Sequence, residues 1–121
     1  MQQLLTDDRS IYLQISAMLE TDILRGILLE EERVPSTNEL ARLYAINPAT
    51  AAKGINLLVE EGILYKKRGI GMFVAQGAAE KIRSRRKQEF YDQRLKALIR
   101  EAHSLGISKE ALIARIQEEE L

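Results

Sequence analysis

Apolar residues recur every four positions at Ile11, Ile15, Leu19 and Ile23, with Met18 beside them, so the chain opens on an amphipathic helix. Ser10 stands where an N-cap belongs, and Gly26 where a helix ends. The stretch 27–33 reads as a connecting loop or short extended piece. Val34 closes it, because the residue before Pro35 is pushed out of the helical region. A second, short helix starts at Ser36, which with Glu39 forms a capping box, and turns Leu40 and Leu43 inward before ending near Tyr44 and Ala45. Asn47 as cap and Pro48 at the first helical position start a third helix, running to about Glu61 and stopped by Gly62. Ala51, Ile55, Leu58 and Val59 share one face of it, with Ala49, Lys53 and Asn56 opposite.

The period then changes. Two β-prone runs, 63–65 and 72–74, flank a basic turn containing glycine, which predicts a hairpin. From about residue 78 to 105 there is neither proline nor glycine, and Tyr91, Leu95, Leu98, Ala102 and Leu105 recur at helical spacing. Gly106 breaks this helix. Ser108 caps a last one, with Ile107 and Leu112 placed as a hydrophobic staple and Leu112, Ile113 and Ile116 as its apolar residues. The expected fold is mainly α (α+β): a winged helix-turn-helix with a two-stranded wing over residues 1–76, then a two-helix unit over 77–121.

Composition narrows the function more by exclusion than by emphasis. The 121 residues contain no cysteine, which removes disulfides and thiolate metal sites. His103 stands alone near a helix end, where a partner for the helix dipole is the simpler reading than a metal ligand. Residues 1–9 carry no signal-peptide pattern, and no apolar run approaches the roughly 18–20 residues of a membrane span. A soluble, cytoplasmic protein with no cofactor is expected. Phosphate loops, metal clusters and nucleophile–base sets are missing, so an enzyme is not. Net charge is zero, but its distribution is uneven. Residues 46–58 hold one charge, Lys53; Lys66, Lys67 and Arg68 mark the hairpin turn, and Lys81, Arg83, Arg85, Arg86 and Lys87 come after it. A helix of this kind fits the major groove of duplex DNA with its N-terminal residues nearest the bases, and its free N-terminus offers N–H groups to phosphate. A basic wing can reach the neighbouring backbone or minor groove. Read as structure alone, Ser36, Asn47 and Pro48 are simply a helix start, the wing cations a solvated turn, and the 81–87 cluster a solvated helix face.

The ordered stretches Ser10-Ile-Tyr-Leu-Gln-Ile15, Val34-Pro-Ser-Thr-Asn-Glu-Leu-Ala41, Asn47-Pro-Ala-Thr50, Leu58-Val-Glu-Glu-Gly-Ile63 and Gly69-Ile-Gly-Met-Phe-Val74 resemble the DNA-binding domain of the GntR regulators. The stretch Tyr65-Lys-Lys-Arg-Gly-Ile-Gly-Met-Phe-Val74 with a tail of only about 45 residues resembles the family's YtrA subgroup. The resemblance implies a bacterial repressor, often of an ABC-transporter operon, with a two-helix dimerisation unit. It also implicates Ser36, Asn47, Arg68, Gly69 and Gly71 at phosphates or the wing tip. Family members commonly carry arginine where this chain has Asn38, and arginine or other polar residues at Pro48, Ala49 and Ala52. Base reading therefore falls to Asn38, Thr50, Lys53 and Asn56, with Thr37 and Pro48 beside them and Lys66 and Lys67 on the wing.

An isolated helical hairpin buries little surface, so Tyr91, Leu95, Leu98, Ala102, Leu105, Leu112, Ile113 and Ile116 are expected to face a second copy of the chain. Two DNA heads related by a two-fold axis call for a near-palindromic operator. A small-molecule effector would have to sit at the dimer interface or between wing and tail. The competing readings are a winged-helix protein–protein module and an activator.

Overall fold

The structure, a computed structural model, describes residue 5 and residues 10–121; the signal-peptide reading of residues 1–9 falls, residue 5 apart, outside them. Helices α1 (Ile11–Leu24), α2 (Thr37–Tyr44) and α3 (Pro48–Glu60) precede strands β1 (Leu64–Lys67) and β2 (Gly71–Val74). Helix α4 (Ala78–Glu89), a π-helical segment (Phe90–Leu95), α5 (Lys96–Ser104) and α6 (Lys109–Glu118) complete the chain. It divides into two compact units, Met1–Arg83 and Ser84–Leu121, with the division falling inside α4. Ala78 and Ile82 belong to the core of the first unit, several residues beyond the break expected after residue 76.

The first unit is built on one apolar cluster. Ile15, Leu19 and Ile23 of α1 meet Leu40 of α2, Ala51, Ile55 and Leu58 of α3, and Leu64 and Val74 of the strands, all buried. Removal of this much apolar surface from water is the main stabilising term, at roughly 25 cal/mol per Å². Helices α1 and α3 approach closely because α3 carries Gly54 on its buried face. A Cβ there would lie 2.8 Å from the Tyr12 carbonyl oxygen. The Ser16 hydroxyl uses this proximity to donate 2.6 Å to the Gly54 carbonyl, which satisfies its buried oxygen.

Three local expectations change. Ser10 occupies the N-cap of α1, but its side chain makes no capping bond; its carbonyl takes the Leu13 and Gln14 N–H groups instead. Leu43 is 62% exposed. At about 100° per residue, the inward direction shared by Leu40, Ala41 and Tyr44 leaves Leu43 roughly a right angle away. The stretch 31–34 is no simple connector. Arg33 bridges Phe73 antiparallel, Val34 N–H donates 2.9 Å to Met72 O, and Val74 N–H donates 3.0 Å to Glu32 O, so this strap edges β2.

In the second unit, the expected uninterrupted α-helix is broken by the π turn over Phe90–Leu95. A π turn widens the helix by a residue and rotates the turns beyond it, so the recurrence Tyr91, Leu95, Leu98, Ala102 no longer describes a single stripe. Ala102 is buried and Leu95 and Leu112 half-buried. Tyr91, Leu98, Leu105, Ile113 and Ile116 are exposed, from 48% at Leu98 to 69% at Leu105.

Candidate nucleic-acid interface

Three segments present the predicted contact residues: the start of α2, the outer face of α3 and the wing. At α2 the capping box is complete. The Ser36 hydroxyl accepts from Glu39 N–H at 3.1 Å, and the Glu39 carboxylate accepts from Ser36 N–H at 3.2 Å. Those bonds, the backbone one first, hold the Glu39 carboxyl below its ordinary pKa, with Arg33 and Arg42 adding to the shift. Ser36 and Thr37 are half-buried and Asn38 is exposed.

Helix α3 begins as expected, with Asn47 Oδ1 accepting from Ala49 N–H at 2.8 Å. Its N-terminus is, however, not open to an anion. Pro48 has no N–H, Ala49 is taken by the Asn47 side chain, and Thr50 and Ala51 donate to the Asn47 carbonyl. The surface α3 offers is therefore made of side chains. Asn47, Pro48, Lys53 and Asn56 are exposed and Thr50 half-buried, with Ala49 and Ala52 keeping the ridge low. Lys53 is not a loose cation: its Nζ sits 4.1 Å from the Tyr12 ring centroid on α1. Sequence reasoning missed Tyr12, because its link to α3 depends on the close α1–α3 crossing at Gly54.

The wing pairs Leu64 with Val74, Tyr65 with Phe73, Lys66 with Met72 and Lys67 with Gly71. Leu64 and Val74 are buried, and the hairpin extends beyond them to a turn at 68–70. Gly69, with φ +76°, and Gly71, with φ +146°, hold backbone conformations that L side chains rarely adopt. Lys66, Lys67, Arg68 and Gly69 are exposed. Lys67 Nζ lies 4.3 Å from the Phe73 ring centroid, while Tyr65 donates its hydroxyl proton to the Glu31 carboxylate. That bond, burial and the Glu31 charge all raise the Tyr65 pKa. Beyond the wing, Arg83 pairs with Glu80 at 2.7 Å and Arg85 with Glu89 at 3.4 Å, so part of the 81–87 cluster is engaged along its own helix.

A profile described as bacterial regulatory proteins, gntR family, matches residues 11–74. The chain belongs to this family. The GntR chain is 33% identical over 108 residues to the HTH-type transcriptional repressor YtrA of Bacillus subtilis (strain 168), covering 89% of this chain and 82% of that one. A GntR family transcriptional regulator from Listeria monocytogenes, 28% identical, superposes with a TM-score of 0.73 over 96% of this chain and 100% of that one. The DNA-binding domain of AraR, in a crystal structure with operator ORX1, is 32% identical with a TM-score of 0.53, covering 62% of this chain and 92% of that one. This GntR protein is thus a winged-helix transcription regulator and not an enzyme. Among the described residues, no group of three or more His, Asp or Glu side chains is placed to hold a metal ion, and no helix is long and apolar enough to cross a membrane.

In the second unit, α5 and α6 enclose an open groove of about 520 Å³ lined by Ile99, Ala102, His103, Ile107 and Leu112 among others. Ser108 caps α6 as expected, accepting from Ala111 N–H at 3.1 Å. His103 stands exposed in the last turn of α5, the position where a cation favours the helix dipole.

Proposed function

We propose that this GntR regulator is a dimeric repressor that binds a near-palindromic operator in duplex DNA. The observation that carries the reading is the match of its first unit to the AraR DNA-binding domain held on operator DNA. In this arrangement Thr50, Lys53 and Asn56 face base edges in the major groove, with Asn47 and Pro48 at the helix start. Ser36, Thr37 and Asn38 lie along the backbone, Asn38 also within reach of an adenine edge. Lys66, Lys67, Arg68, Gly69 and Gly71 form the wing contact. With one cation on its outer face, α3 has little direct readout, so phosphate contacts and dimer geometry carry much of the affinity.

Dimerisation is assigned to the second unit. Leu98, Leu105, Ile113 and Ile116 leave more apolar surface open than an isolated helical hairpin keeps in water, and a second copy is the simplest cover. Ala102 and Leu112 of the predicted dimer set line the α5–α6 groove, so small-molecule control is assigned to that subunit boundary. By likeness to YtrA the reading includes repression, and by family resemblance an ABC-transporter operon as target.

Selection of bound duplexes from a random pool tests the proposal. Enrichment of an inverted repeat whose half-sites are spaced by about one helical turn is expected. Recovery of no common sequence, or of a single half-site bound by one chain, contradicts it.

A further inference from the structure

The strap at 31–34 brings to the wing a cation absent from the predicted contact set. Residues paired across antiparallel strands project to the same side of the sheet, and alternate along each strand. Arg33 bridges Phe73, Phe73 pairs with Tyr65, and Lys67 pairs with Gly71. Arg33, Tyr65, Lys67, Phe73 and the bare Gly71 therefore share one wing face. The side chain of Arg33 crosses the glycine: a Cβ at Gly71 would lie 2.8 Å from Arg33 Nε and 3.5 Å from its Cδ. Lys67, opposite that glycine, rests on the Phe73 ring.

Two cations gathered on one face repel each other, and an anion between them relieves the repulsion. Two acids associated with this face have hydrogen-bond donors of their own. Glu31 accepts the Tyr65 hydroxyl, and Glu39, which feels the Arg33 charge, accepts the Ser36 N–H. Arg33 is exposed and stands three residues before the cap of α2, between that helix start and the wing turn. We propose that Arg33 binds a phosphate of the operator backbone, with Gly71 kept free of a side chain so that the guanidinium can cross the wing to it. This rests on the DNA-binding reading above and adds to it a residue that links α2 to the wing.

The test measures affinity for the selected duplex across a salt series, for the full chain and for Arg33→Ala, Arg33→Lys and Arg33→Gln. Removal of one phosphate contact lowers the slope of log K against log salt by about 0.9 and weakens specific and non-specific duplexes alike. Arg33→Ala should show both, and Arg33→Lys should restore most of the slope. An Arg33→Ala chain that melts like the parent and keeps the parent's slope overturns the proposal. If that variant melts early, Arg33→Gln, which retains the stem over Gly71, is judged by the same two readings. Failure of the parent chain to bind any duplex removes the DNA reading itself, whereas an unchanged slope in the variants removes only the role of Arg33.

Discussion

Ser36 serves two ends at once, closing the capping box of α2 and standing at the edge of the proposed interface. Ser36→Ala should cost about 1 kcal/mol of stability, the usual value for removal of a cap, read as a lower urea midpoint with unchanged slope. Glu39 makes the same box sensitive to acid. Its folded pKa lies below the unfolded value, so its contribution is present above the ordinary glutamate pKa of about 4.3 and is lost as pH falls through the lowered folded value. The stability gap between the parent and Glu39→Gln should therefore be wider near pH 7 than near pH 3. A gap that does not change with pH would show that the charge of Glu39 plays no part. Lys53 is held over Tyr12, so its contribution to DNA binding includes the cost of leaving that ring.

The elements were legible where a local signal marks them. Ser36 with Glu39, Asn47 with Pro48, and Gly62 after α3 mark boundaries through bonds made within a few residues, and the structure reproduces them. The buried faces of α1 and α3 follow from period alone. The features that escaped depend on residues distant in sequence or carry no local mark. Gly54 looks like a weak spot in a helix until α1 is placed 2.8 Å from where its Cβ would be. Arg33 looks like loop until 31–34 pairs with β2, and the π turn at Phe90–Leu95 has no glycine or proline to announce it. The Gly54 crossing yields a prediction whose sign is decided by magnitude. Gly54→Ala gains about 1 kcal/mol in helix propensity, but its methyl meets backbone at Tyr12 and the side chain of Ile15. Overpacking of this kind costs roughly 1–3 kcal/mol, and a backbone carbonyl cannot swing aside. The variant should melt at lower temperature than the parent; equal or higher stability would mean that α1 and α3 can separate without loss.

At the scale of the whole molecule, the proposed function divides its labour between the two units, recognition in the first and assembly in the second. The first has a closed apolar core, whereas the second leaves Leu98, Leu105, Ile113 and Ile116 exposed and, among the described residues, buries Ala102 alone. Replacing Leu98 and Ile113 with glutamate should turn a dimer into a monomer in sedimentation while the first unit keeps its fold. Affinity for the full operator should then fall toward that of one half-site, because the second head no longer binds as part of the same particle. A double variant that sediments as the parent would place the interface elsewhere. In the proposed function α3 and the wing hold duplex DNA. The most direct test is the salt dependence of operator affinity for the intact chain beside Lys53→Ala with Arg68→Ala. A salt-sensitive complex of two chains per duplex is expected, with the doubly substituted chain bound more weakly, its slope lower by about 0.9 for the phosphate that Arg68 leaves and its specificity reduced by the base contact that Lys53 leaves. Binding that ignores both salt and these two residues would contradict it.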